Sequence, residues 1–131
     1  MDTQPDDLWQ PLLDSLSRLK ASWPGGEWTW DARFAAVASS FAAELEPAAR
    51  ASAQHAMTRG WTTKSLENAP ESLRQLAERT GGLRQGQRLL AGTSDALFGL
   101  WWPWGGGDTV TLRIGFTDAS VTPRLRALFG V

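Results

Sequence analysis

The stretch FGLWWPWGGGDTVTLRIGF, residues 98–116, carries three of the chain's eight tryptophans within four positions and then runs through three glycines. Runs of apolar and β-branched residues on both sides of Gly105-Gly106-Gly107 predict a β-hairpin, because glycine supplies the positive φ that short hairpin loops need. With the three glycines as the loop, Trp104 faces Asp108, Trp102 faces Val110, Leu100 faces Leu112, Phe98 faces Ile114 and Ala96 faces Phe116. That register gathers the large apolar residues of both strands on one face, and a slip of one residue sends each of them to the other. The opposite face then holds Leu97, Gly99, Trp101 and Pro103 beside Gly115, Arg113, Thr111 and Thr109. It places Trp101 within stacking reach of the Arg113 guanidinium. That indole is either covered by another element, such as the C-terminal helix, or stands on a shallow platform made roomy by Gly99 and Gly115. Phe98, Leu100 and Trp102 are expected in the core under the amphipathic helices. Pro103 has no N–H to give to a ladder, so the 97–104 strand is expected at a sheet edge, or with its pairing ending at the proline.

Working outward, GQRLLAGT (86–93) has the same twofold period and adds a third antiparallel strand. Downstream, SVTPRLRALFGV predicts a short helix with Thr122 as cap, Pro123 at its first position and an apolar face of Leu125, Leu128 and Phe129. Upstream the period is helical. Leu8, Leu12, Leu16 and Leu19 recur at helical spacing, with regular helix starting or kinking near Pro11 and stopping at WPGGE (23–27).

The segment 29–61 places Phe34, Ala38, Phe41 and Leu45 on one helical face, with Thr29 or Asp31 as cap and Gly60 as the left-handed residue at the end. Pro47 costs about 3 kcal/mol inside a helix, so the expectation is a kink or two helices, at about 31–45 and 47–59. NAPESLRQLAERTGG (68–82) adds a helix capped by Asn68, whose thin stripe of Leu73, Leu76 and Ala77 leaves most of its surface wet. The order predicts an α+β fold: N-terminal amphipathic helices packed on a three-stranded antiparallel meander, with a short C-terminal helix. One domain over 1–131 is expected, helical over about 6–82, with the sheet and last helix over about 86–130.

A chain of 131 residues is long enough to bury about two-thirds of its unfolded surface. A net charge of -1 gives no general pull toward phosphate backbones or anionic lipid, so neither nucleic acid nor membrane is an expected partner. There is no cysteine, the start MDTQPDDLWQ lacks the basic and apolar parts of a secretory signal, and no apolar run approaches the roughly 18 residues of a spanning helix. A cytoplasmic location is expected, and the preference for Arg over Lys with abundant Ala suits a GC-rich bacterial genome.

Catalytic patterns are scarce. His55 is the only histidine, which excludes a two-histidine zinc site. GTSDA (92–96) lacks the last glycine of a nucleophile turn, and GGLRQGQR (81–88) lacks the Lys and Ser/Thr of a phosphate loop. Glu44 with Glu46, and Glu67 with Glu71, do not share a helix face in a way that makes an acid/base pair. No metal or cofactor is expected.

Two readings of function follow. The first is a small non-catalytic protein-binding module of adaptor, chaperone or immunity type, contacting its partner through Trp101, Arg113, Thr111 and Pro103. The second is a small-molecule-binding domain with a pocket lined by Trp28, Trp30 and Trp101; a carboxylate-dependent enzyme, with His55 assisting, comes third. Under the staple reading, Trp28 or Trp30 instead packs on the first turn of the following helix. Arg84, Arg88, Arg113, Arg124 and Arg126 make the C-terminal third basic, suited to an acidic partner surface or to balancing the acids of the helices. A free edge at 97–104 is compatible with a homodimer.

Overall fold

The computed structural model describes residues 7–131. Four α-helices and a six-stranded, wholly antiparallel sheet make an α+β architecture: α1 (Gln10–Ser22), β1 (Thr29–Asp31), β2 (Ala36–Ala42), α2 (Glu46–Ala53), β3 (Arg59–Trp61), α3 (Glu71–Arg79), β4 (Arg88–Ala91), β5 (Leu97–Trp104), β6 (Thr109–Phe116) and α4 (Thr122–Phe129). The strand order is β1-β2-β6-β5-β4-β3. The expected meander is its β4-β5-β6 part, and three strands lie in the segment expected to be helical.

The largest correction concerns 29–45. Its Phe34, Ala38, Phe41, Leu45 spacing imitates a helix, yet the chain makes a β1–β2 hairpin through residues 32–35. β2 pairs on both sides and is buried on both faces: Val37, Ser39 and Phe41 face one layer of helices, while Ala36 and Ala38 lie on the other face. A central strand in close contact on both faces favours small residues, and packing of this kind outweighs the weak helix preference of alanine. Consequently Thr29 and Asp31 belong to a strand and cap no helix, and Trp28 and Trp30 staple none.

Pro47 stands in the first turn of α2, where its missing N–H costs nothing; of the two helices expected around it only the second forms, and it ends at Ala53, short of 59. Gly60 is a strand residue of β3 and is not among the positive-φ glycines. Asn68 lies in a 3-10 turn ahead of α3, with Pro70 at the cap position, and Val121 holds the cap position of α4 in place of Thr122.

The turn at 32–35 leaves Ala35 at φ 49°, a left-handed conformation that a Cβ disfavours. Ala35→Gly is expected to stabilise the protein by about 0.5–1 kcal/mol, the relieved strain less glycine's entropy, read as a higher urea midpoint.

Helices α1, α2 and α4 cover one face of the sheet. Leu12, Leu13, Leu16 and Leu19 of α1 and Leu125 and Phe129 of α4 pack there against Val37, Phe41, Leu97, Trp101, Val110, Leu112, Ile114 and Phe116. A buried leucine contributes about 1.5–3 kcal/mol, so the four leucines of α1 are the largest helical contribution to this layer. The other face is covered by α3, whose Leu73, Leu76 and Ala77 are the buried stripe read from the sequence, and which packs on Leu89, Ala91, Phe98 and Leu100.

α1 is tied to α4 by Asp7, which accepts hydrogen bonds from Arg124 at 2.9 and 3.2 Å and from the backbone N–H groups of Trp9 and Gln10. The Arg124 guanidinium holds the Asp7 carboxyl below its ordinary value of 3.8. A depressed folded value stabilises above the ordinary one and loses its effect as pH falls through the folded one. Wild type and Asp7→Asn should therefore differ in urea midpoint at neutral pH and converge in strong acid.

Candidate functional site

The β5–β6 hairpin sets the site, and its register differs by one residue from the expected one. Trp101 is opposite Leu112, Trp102 opposite Thr111, Pro103 opposite Val110 and Trp104 opposite Thr109. The loop therefore has four residues, Gly105 to Asp108, with Gly106 and Gly107 at φ 76° and 92°. Asp108 belongs to the turn, and its carbonyl accepts from the N–H of Ala43 just beyond β2.

The expected register maximises one apolar face, which a sheet covered on one side requires. Here α3 covers part of the second face, so apolar side chains are distributed over both. Of the expected core residues Phe98, Leu100 and Trp102, the first two are buried, though beneath α3, and Trp102 is only partly buried at the margin of that layer. Trp101 is 3% exposed and lies at 5.2 Å from Phe41 in the core under α1, α2 and α4. The expected pairing of Trp101 with Arg113 is thus replaced by one between Trp102 and Arg113. β5 is not an edge strand either. β4 pairs with it only as far as Trp101, so Pro103 lies where β5 has no neighbour on that side and a missing N–H matters little.

α3 does not reach the far end of its face of the sheet, where Ser40 and Ala42 of β2 are exposed beside the end of β5. There Trp102, Pro103, Trp104, Thr111, Arg113 and Gln87 line a depression of about 210 Å³. Three of the four residues expected in the binding patch, Arg113, Thr111 and Pro103, are brought together, and Trp102 with Trp104 stand in the place given to Trp101. Arg113 Nε donates to Asp31 Oδ2 at 2.8 Å, and its guanidinium lies 5.0 Å from the Trp102 ring and 4.9 Å from Phe34. Phe34 meets Trp102 edge-on at 5.3 Å. Asp31 is itself fixed by the β1–β2 turn, where its Oδ1 accepts from the N–H of Arg33. The guanidinium is thereby held by a carboxylate and two aromatic rings.

Trp104 Nε1 donates to Thr111 Oγ1 at 3.0 Å, and that hydroxyl shares a 2.7 Å hydrogen bond with Ser40. The ring is oriented yet 60% exposed, the only exposed one of the eight tryptophans. Trp102 Nε1 is buried without a hydrogen-bond partner. The chain matches no known protein family, and neither a curated protein nor a solved structure is found to be similar to it.

The alternative tryptophan set is dispersed. Trp28 packs on Trp23 at 5.2 Å and on Phe129 at 4.6 Å, and Trp30 lies under the Arg126 guanidinium at 4.6 Å. Trp101 borders a cleft of about 190 Å³ between α2 and β3, whose lining includes Arg50, Arg59 and Arg88 and neither Trp28 nor Trp30. His55 is exposed just beyond α2, in neither depression. Among the described residues no group of three His, Cys, Asp or Glu is placed to hold a metal, and no helix is long and apolar enough to cross a membrane.

Sequence reasoning missed Trp102, Trp104 and Phe34 as surface residues. The available signal was the size complementarity of Phe98 and Gly115, which the observed register pairs directly.

Proposed function

We propose that this chain is a small non-catalytic cytoplasmic module that binds another protein through the open part of its sheet, centred on Trp102, Trp104 and Arg113. The observation that carries this reading is Trp104: a hydrogen-bonded, oriented indole that is nonetheless 60% exposed, beside a guanidinium already fixed by Asp31. Tryptophan and arginine are the residue types most enriched at binding hot spots, and a ring held in place before contact loses little entropy on binding.

Trp104→Ala is expected to leave the fold within about 1 kcal/mol of wild type, because the side chain fills no core position. It should weaken partner binding by about 2 kcal/mol, or roughly thirtyfold. Affinity capture from the source cytosol with wild type and the folded Trp104→Ala variant tests this. A protein retained by wild type and lost by the variant supports the reading, and identical retention by both contradicts it.

A further inference from the structure

The depression at Trp104 is one end of a longer groove. It shares Gln87, Trp102 and Arg113 with a second of about 260 Å³, which shares Arg33, Phe34, Thr80 and Gly81 with a third of about 440 Å³ beside the C-terminal end of α3. The lining of the three holds four arginines, Arg33, Arg79, Arg84 and Arg113, and no Asp or Glu. The whole chain has 14 acidic and 13 basic residues, so this separation of charge is local. Of these four, only Arg113 has a carboxylate within ion-pair distance among the described residues; Arg33, Arg79 and Arg84 are exposed and have none. Arg33 lies 5.1 Å from the Phe34 ring, so cations and aromatic rings alternate along the groove from Phe34 to Trp104.

We infer that this groove takes an extended acidic segment of the partner protein, its carboxylates meeting Arg33, Arg79 and Arg84 and its apolar residues meeting Phe34, Trp102 and Trp104. The inference rests on the protein-binding reading above and adds the chemistry of the partner. Exposed guanidinium groups without carboxylates attract anions and reject cationic segments, which sets specificity and association rate. A run of separate carboxylates suits this surface better than a nucleic-acid strand does. A net charge of -1 provides no long-range field for a polyanion, and Asp31 beside Arg113 would repel a continuous phosphate backbone.

The test is selection of a displayed library of random twelve-residue peptides on the immobilised full chain. Fluorescence polarisation of the strongest peptide follows, with wild type, with the double variant Arg79→Glu, Arg84→Glu, and with Trp104→Ala. The expected result is enrichment of Asp and Glu interspersed with apolar residues. Binding should be weakened about tenfold or more by the double charge reversal and should fall steadily with added salt. Neutral or basic peptides, indifferent to the charge reversal but lost with Trp104→Ala, would overturn the acidic assignment and leave the protein-binding reading standing. Failure to select any peptide overturns both, as does Arg79- and Arg84-dependent binding of a twelve-nucleotide oligo(dT) in place of any peptide.

Discussion

Trp101→Ala is expected to destabilise the protein by about 3–5 kcal/mol, the range for emptying a large aromatic from a packed core. The ring is 3% exposed and belongs to the cluster formed by α1, α2, α4 and the covered sheet face, so the surroundings can close only partly over the space it leaves. Proteins of this size are stable by roughly 5–15 kcal/mol in total, so the loss is a large part of the whole. Urea unfolding measures it. The contrast with Trp104→Ala three positions away is what the register dictates. If Trp101→Ala proved nearly neutral for stability, the ring would have to lie on a surface, the alternative to its being covered that the sequence alone leaves open.

The second large effect lies on the other face, at the cross-strand pair Phe98 and Gly115. A Cβ built on Gly115 would be 2.6 Å from Phe98 Cζ and 3.1 Å from the Ala35 carbonyl oxygen. Gly115→Ala should therefore cost about 1–3 kcal/mol by overpacking. Phe98→Ala should cost about 3–5 kcal/mol through the cavity it leaves beneath α3. In the double variant the alanine at 115 no longer meets the ring, so its penalty should shrink by about 1 kcal/mol or more. Additive effects in this cycle would mean that the two residues do not face each other, which is what pairing Phe98 with Ile114 implies.

These two cases show what the sequence made legible. α1, α3, α4 and the three C-terminal strands were readable because their periods are unambiguous and their limits carry Pro or Gly. The N-terminal hairpin was not, because Ala, Ser and Phe at 34–45 satisfy a helical spacing by coincidence, and only the neighbours of β2 determine that small residues are needed on both of its sides. The site was half legible. A Trp/Arg surface on the C-terminal hairpin, including Arg113, Thr111 and Pro103, followed from composition and spacing alone. Which tryptophan belonged to it depended on whether one face of the sheet was covered or two, and the short stripe of α3 decided that from outside the hairpin. The β1–β2 turn that brings Asp31 and Phe34 to Arg113 had no local signal strong enough to compete with the helical pattern.

The assignment of Trp101 to the core and of Trp102 and Trp104 to the open face rests on one register. Nuclear Overhauser contacts between backbone protons of the two strands measure it directly in the folded chain. Contacts joining Trp101 to Leu112 and Trp102 to Thr111 are predicted. Contacts joining Trp102 to Val110 and Leu100 to Leu112 would contradict the account, returning Trp101 to the side of Arg113 and removing the basis for a binding surface built on Trp102 and Trp104.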